Sequence, residues 1–300
     1  MRENVMKVGV AGLGRMGAAI AKRLLEVGHE VHVWNRSPDK AEPLGKAGVT
    51  VAKTPSGLVA GVDTVITILT DAAAIAAVYD GAEGLLAGDA KGKLFIEMST
   101  VQPVTEIALA EKIRAKGATM LECPVGGTVG PALTGKLLGV AGGSKEDFER
   151  AKPLLEQMCR RVDLVGPIGA GASMKLAINL PLGIFWLAFG EAYALCRHLN
   201  LDPAWLVELF ADTSGGTNVL KARGSAVALA LQSKPSGSAT FDCDNIRKDF
   251  RTMVAEAKEL GFGLPMAEQA LAVFDQAAKA GWGGKDCTEI PAFWSTSHKA

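Results

Sequence analysis

Residues 7–37 read KVGVAGLGRMGAAIAKRLLEVGHEVHVWNRS, and this stretch decides the fold. KVGVAG (7–12) and EVHVWN (30–35) are short β-branched runs of strand type. Between them Met16, Ile20, Leu24 and Val27 recur at helical spacing, and Gly28 follows as a stop. A strand, a crossover helix and a second strand within about thirty residues make one βαβ unit. Its first turn carries Gly12-Leu13-Gly14-Arg15-Met16-Gly17, a GxGxxG in the context that gives it meaning. Gly12 makes the tight turn, Gly14 lets backbone approach a pyrophosphate, and Gly17 lets the helix pack close to the strand. The helix start then offers unpaired N–H groups and a positive dipole end to the anion.

Outward from this unit the same alternation continues. TVITIL (64–69), KLFIEM (93–98), ATMLEC (118–123) and LLGVAG (137–142) are further strand candidates, separated by helical segments, which predicts a mostly parallel, doubly wound sheet. After GPIGAG (166–171) the strand signal vanishes and the remainder reads as helices. The expected architecture is therefore α/β: a Rossmann domain over 1–166, then an all-helical domain over 167–300 joined to it by a long central helix. The segment 173–199 is apolar enough to raise a membrane span, but Lys175, Asn179 and Glu191 interrupt it and Pro181 would strain it. It reads instead as a buried helix that also covers a subunit contact.

Composition narrows the partners. With 300 residues, 32 basic and 32 acidic side chains and 48% apolar residues, the chain is globular and has no charge excess for nucleic acid or an anionic membrane. Five widely spaced cysteines without a CxxC or Cys/His grouping argue for a reducing cytosol and against a metal site. The start MRENVMKVGVAGLG lacks the basic and apolar regions of an export signal, so a cytoplasmic protein is expected.

The end of the second strand bears on cofactor choice. An Asp or Glu there would accept the 2′-hydroxyl of NAD, yet the chain has Asn35-Arg36-Ser37. A guanidinium flanked by amide and hydroxyl donors suits a 2′-phosphate, so NADP (NADPH) is expected over NAD.

Three further segments hold candidate chemistry. Glu122-Cys-Pro-Val-Gly126-Gly127-Thr128 follows a strand at its carboxyl end, and its glycine N–H groups with the Thr128 hydroxyl could form a nest for a substrate carboxylate. Lys175 and Asn179 are four apart at the start of the apolar helix, hence on one face. Desolvation would make such a lysine a readier proton donor to a developing alkoxide; a lysine snorkelling from the helix end is the plainer alternative. Near the C-terminus Ile246, Phe250, Val254 and Ala257 line one side of a helix, with Lys248 and Asp249 off that stripe as on an ordinary solvated face.

Taken in order, GLGRMG (12–17), ECPVGGTVGPALTGKL (122–137), GAGASMKLAIN (169–179) and NIRKDF (245–250) resemble the β-hydroxyacid dehydrogenase family, of 3-hydroxyisobutyrate dehydrogenase type, over nearly the whole chain. The resemblance implies a Rossmann domain followed by a helical domain, assembled as a homodimer or homotetramer. It implies an NADP-dependent oxidoreductase without metal, moving hydride reversibly between cofactor and a small hydroxy acid or aldehyde acid of the 3-hydroxyisobutyrate, succinic or tartronate semialdehyde, or glyoxylate class. By the same resemblance Lys175 is the general acid/base and Asn179 orients substrate. Gly126, Gly127 and Thr128 hold the acid group, Ser99 and Thr100 lie by the nicotinamide ribose, Lys248 reaches the cofactor with Asp249 in support, and Phe241 closes the pocket. Leu69 and Thr70, ending the third candidate strand, join the cofactor set. Glu122 and Gly126 stand where the family usually has an aspartate and a serine, so one hydroxyl donor to the substrate is missing. A glycine there is similar to what sulfolactaldehyde reductases carry, which makes a sulfonate admissible. Pro181 should kink the helix. A non-catalytic NADP-binding module is the alternative of another class.

Overall fold

The computed structural model describes residues 5–297. Met1–Asn4, part of the N-terminal stretch read for an export signal, lie outside the described residues. The chain divides into two compact units, Met1–Leu176 and Ala177–Ala300.

The first unit is a nine-stranded, mostly parallel sheet flanked by helices. In chain order its elements are β1 Lys7–Ala11, α1 Arg15–Glu26, β2 Glu30–Trp34, α2 Glu42–Lys46, β3 Thr50–Val51, α3 Pro55–Ala60, β4 Thr64–Thr67, α4 Ala72–Asp80, β5 Leu94–Glu97, α5 Pro103–Ala115, β6 Thr119–Glu122, β7 Val125–Gly126, α6 Val129–Leu133, β8 Leu137–Gly142, α7 Lys145–Met158 and β9 Cys159–Gly166. The sheet order β3-β2-β1-β4-β5-β6-β8-β7, with β9 beside β8, reverses direction between β1 and β4. That reversal places a crevice at the carboxyl ends of these strands, where open α/β sheets take ligands.

Strand alternation splits the core in two. Ile66, Leu94, Ile96 and Leu121 face the α1/α7 side, while Val65, Phe95 and Met120 face the α4/α5 side. Three strands escape the sequence reading. β3 and β7 have two residues each, too few for a pattern. β9, reading CRRVDLVG, is a half-exposed strand with paired arginines, so it never shows an apolar run.

α8 runs Ala170–Cys196 without interruption at Pro181. It is not buried on every side: Met174, Ile178 and Leu195 are exposed, the last at 81%. By length and hydropathy the helix would also pass for a membrane span. In the second unit, however, its Gly183 admits the Phe250 ring and its Gly190 admits Pro291 and Trp294, the contacts of a core helix. Around it fold α9 Pro203–Ala211, α10 Asn218–Leu231, α11 Cys243–Glu259, α12 Pro265–Ala277 and α13 Ile290–Ser297. Trp186, Phe250 and Phe274 are the largest side chains sealed in this helical core.

Candidate active site

The glycine turn is built as a cradle. Gly12 has φ +98°, and a Cβ there would meet the Ile68 carbonyl at 2.4 Å. A Cβ on Gly17 would sit 1.9 Å from the Gly12 carbonyl, so only glycine lets α1 start this close to β1. Gly14 differs: a Cβ there meets nothing within 4 Å. It is the N-cap of α1 and supplies no side-chain cap, and the first turn holds no acidic residue. The first N–H groups and the helix dipole thus point to an open, uncapped site that fits a pyrophosphate.

Asn35 performs a task that sequence reasoning did not assign to it. Its Oδ1 accepts from Leu13 N at 2.8 Å and its Nδ2 donates to Ser37 O at 3.0 Å. The amide therefore ties the glycine turn to the end of β2. Arg36 beside it is exposed and Ser37 half-buried.

At the ends of β4 and β5, Leu69 N donates to Ser99 Oγ at 2.7 Å; Ser99 is buried and Thr100 half-buried, while Thr70 is exposed. Beneath them lie carboxyls to which the sequence reading gave no task. Glu97 and Glu122 are register partners on adjacent strands, and both are fully buried. The signal was present: two residues beyond Phe95 and Met120, each occupies the next position on an apolar face. Glu106, from α5, is buried as well. Burial pushes the Glu97 and Glu106 carboxyls up, and their mutual proximity raises Glu106 further.

Glu122 anchors the helix that carries the candidate acid. Its Oε1 accepts from Gly169 N and Gly171 N, each at 2.7 Å, and so caps the start of α8 from across the sheet. A Cβ on Gly142 would lie 2.1 Å from that oxygen, so the glycine makes room for the carboxyl. Burial outweighs the Gly171 and Gly169 N–H groups and raises this carboxyl to about 7. Gly126 pairs with Leu138 in the β7–β8 ladder, Gly127 is exposed at φ +121°, and Thr128 precedes α6 with its hydroxyl unused as a cap.

Lys175 and Asn179 follow one turn apart on α8, both buried at 7% and 8% exposure. In the second unit Asn179 Nδ2 donates to Asp249 Oδ2 at 2.9 Å, and Lys248 Nζ pairs with Asp249 Oδ1 at 2.6 Å. Asp249 is 3% exposed, so the expectation of a solvated face is corrected for this residue. The stripe that α11 buries runs Ile246, Asp249, Phe250, Met253, Ala257, and one carboxylate in it holds both partners.

Phe241, half-buried, precedes Asp242, the N-cap of α11. This segment is pinned by a residue that sequence reasoning missed. Asp286 Oδ2 accepts from Thr240 N at 2.8 Å and Phe241 N at 3.3 Å, while its Oδ1 accepts from Thr288 N at 3.0 Å and pairs with Arg223 at 3.1 Å. Burial would push this carboxyl up, but the Thr240 and Thr288 donors and Arg223 win and hold it at about 2. Arg223 therefore belongs to an internal clamp, whereas Lys221 lines a groove of about 810 Å³ between α9 and α10. No group of three or more His, Cys, Asp or Glu side chains among the described residues could hold a metal ion.

The chain matches two family models end to end. Residues 7–166 match the NAD-binding domain of 6-phosphogluconate dehydrogenase, and residues 169–294 match the NAD-binding domain of NADP-dependent 3-hydroxyisobutyrate dehydrogenase. It is 35% identical to a 3-hydroxyisobutyrate dehydrogenase of Pseudomonas aeruginosa, covering 90% of this chain and 91% of that one. It is 33% identical to glyoxylate/succinic semialdehyde reductase 1 of Arabidopsis thaliana, covering 95% and 97%. Among solved structures, the 3-hydroxyisobutyrate dehydrogenase from Salmonella typhimurium superposes with a TM-score of 0.85 at 25% identity, covering 96% and 99%. With a glycine cradle at the sheet's reversal point and family models matched over both the sheet and the helical segment, the chain belongs to the 3-hydroxyisobutyrate dehydrogenase family of β-hydroxyacid dehydrogenase oxidoreductases.

Proposed function

We propose that the protein is an NADP-preferring reductase and dehydrogenase of small aldehyde acids and 3-hydroxy acids, with Lys175 as its general acid/base. The observation that carries the reading is a buried ammonium one helical turn before a buried Asn179 whose amide is locked onto Asp249. The pair puts a proton donor and an oriented amide on one face of α8, the two groups that proton transfer to a substrate oxygen requires. The dinucleotide, when bound, supplies or takes up hydride. The cradle Gly12–Gly17 would hold its pyrophosphate, and Leu69, Thr70, Ser99, Thr100 and Lys248 would hold its nicotinamide half. Lys175 then donates a proton to the substrate oxygen as carbonyl becomes alkoxide, and withdraws it in the reverse direction. Asn179 orients the same oxygen. Gly126, Gly127 and Thr128 seat the acid group, and Phe241 shields the pocket from water.

The NADP preference rests on Arg36, exposed just after β2 in the segment Asn35-Arg36-Ser37, which carries no carboxylate to repel a 2′-phosphate. The relatives' substrates define the panel: 3-hydroxyisobutyrate, glyoxylate and succinic semialdehyde, extended by tartronate semialdehyde and, because Gly126 lacks a hydroxyl, sulfolactaldehyde. We also propose a cytoplasmic homo-oligomer. The apolar surface at Ile178, Leu195, Trp205 and Leu209 favours assembly, and light scattering on the purified chain tests it. All five cysteines are free, in keeping with a reducing compartment.

Lys175→Ala decides the acid role. It should retain NADPH affinity and lose ~10²–10⁴-fold in turnover, the range for general acid catalysis. A loss under about tenfold removes Lys175 from the chemistry. Arg36→Asp should shift the NADP/NAD preference toward NAD, and an unchanged ratio removes the reading of Arg36.

A further inference from the structure

The buried carboxyl below the cofactor-side loops has a geometry of its own. Glu97 closes β5 and is fully sealed from solvent. Three donors converge on it: Ser99 N at 2.7 Å on Oε2, and Thr67 Oγ1 at 3.2 Å and Ser99 Oγ on Oε1. The Ser99 hydroxyl, having given its proton to Glu97, turns its lone pairs outward and accepts Leu69 N at 2.7 Å. Thr67 Oγ1 likewise gives its proton to Glu97 and accepts from Tyr79 OH at 2.8 Å. The chain of bonds is directional, and the ionised carboxylate satisfies it by accepting at both oxygens, with the buried Glu106 carboxyl also set against Glu97. It locks the loop after β4 to the loop after β5, beside the reversal of the sheet.

We propose that Glu97 is a positioning residue of the dinucleotide site, which fixes the Ser99 hydroxyl and through it the Leu69 backbone as a rigid floor for the nicotinamide half of the cofactor. The proposal rests on the dinucleotide reading above and adds a residue to it. Glu97 touches neither cofactor nor substrate; it acts through Ser99. A glutamine has the same shape, but its NH₂ must face either the Ser99 N–H or the two hydroxyls. The polarity of the network then breaks while the packing stays.

The test is a double-mutant cycle read by fluorescence titration of NADPH, with thermal melting alongside. Glu97→Gln should fold and bind NADPH about tenfold more weakly. Ser99→Ala should lose a similar factor, because Leu69 N loses its acceptor. Since Glu97 works through Ser99, adding Glu97→Gln to Ser99→Ala should weaken binding by less than about twofold more. Thr67→Val, which removes a donor but leaves Ser99 held, should lower melting while changing affinity by less than about threefold. Wild-type affinity in Glu97→Gln, or full additivity in the double variant, overturns the proposal. If Glu97→Gln does not fold, Ser99→Ala with undiminished NADPH affinity overturns it equally. A wild-type protein that binds neither NADPH nor NADH removes the dinucleotide reading and this proposal with it, whereas wild-type binding matched by Glu97→Gln removes this proposal alone.

Discussion

The glycine turn of the first unit and the aspartate hubs of the second solve the same problem, holding a loop still, by opposite means. The turn is sequence-local: Gly12, Gly14 and Gly17 lie within six residues, and Asn35 closes it from 22 residues away. The hubs are assembled at long range. Asn179 meets Asp249 seventy residues on, and Thr240 meets Asp286 after 46. Backbone shape enforced by missing side chains leaves a motif that can be read, whereas a carboxylate that collects donors from several elements leaves only a lone Asp in the sequence. Damage to a hub is then felt throughout the fold, and damage to the open side of the turn is confined to the ligand.

Asp286→Asn should give the largest effect. It removes the charge facing Arg223 and turns an amide toward the Thr240 and Thr288 donors. Breaking a buried ion pair costs about 3–5 kcal/mol, and the partly exposed Arg223 discounts this to roughly 3 kcal/mol. Melting should fall by about 5–10 °C. The Asp286 carboxyl is lowered to about 2 from 3.8, so its stabilisation is present above pH 3.8 and is lost as the pH falls through about 2. The variant should therefore match wild type near pH 2 and differ fully at pH 7. A melting temperature within 1 °C of wild type at neutral pH would break the contrast between hub and turn.

Particular residues show where sequence reading ends. The βαβ unit was legible because its helix period and its glycines coincide over a short span. The polar expectation for Asp249 failed because periodicity treats an aspartate as solvated, and nothing local announces that Asn179, seventy residues away, will hold it in the core beside the adjacent Lys248. Glu97 and Glu122 were hidden for a related reason. Each lies inside a strand candidate on the face of Phe95 or Met120, but a lone glutamate at a strand's last position carries no sign that folding will seal it. Nothing near Arg223 in the sequence announces its role either, because its partner Asp286 lies sixty-three residues downstream.

A second, smaller effect tests the acid end of the first unit. Glu122 rises from 4.5 to about 7 on folding, so its contribution favours the fold below about pH 4.5 and is lost as the pH rises through 7. Between pH 5.5 and 8.5 this amounts to about 2 kcal/mol. Wild-type protein should melt higher at pH 5.5 than at pH 8.5. Glu122→Gln keeps an oxygen for the Gly169 and Gly171 N–H groups but cannot ionise, and should flatten that difference without abolishing it, because Glu97 and Glu106 shift in the same direction. A pH slope unchanged by the substitution would mean that Glu122 does not titrate in this range.

The smallest effect on the fold belongs to the turn itself, and there a pair of alanines separates shape from ligand. At Gly17 a methyl would lie 1.9 Å from the Gly12 carbonyl, so Gly17→Ala must push α1 away from β1; overpacking of this kind costs about 1–3 kcal/mol and should weaken NADPH binding with it. At Gly14 the methyl meets no protein atom within 4 Å and the backbone φ of −65° is ordinary for alanine. Gly14→Ala should therefore melt within about 0.5 kcal/mol of wild type, as a surface change does. Yet the methyl projects into the space a pyrophosphate would cross on its way to the α1 N–H groups, so NADPH affinity should drop at least about tenfold, roughly 1.4 kcal/mol. An unaltered fold with impaired binding is what a cradle shaped for an anion requires; equal affinity in Gly14→Ala and wild type would mean that the open space above Gly14 is not where the phosphates lie.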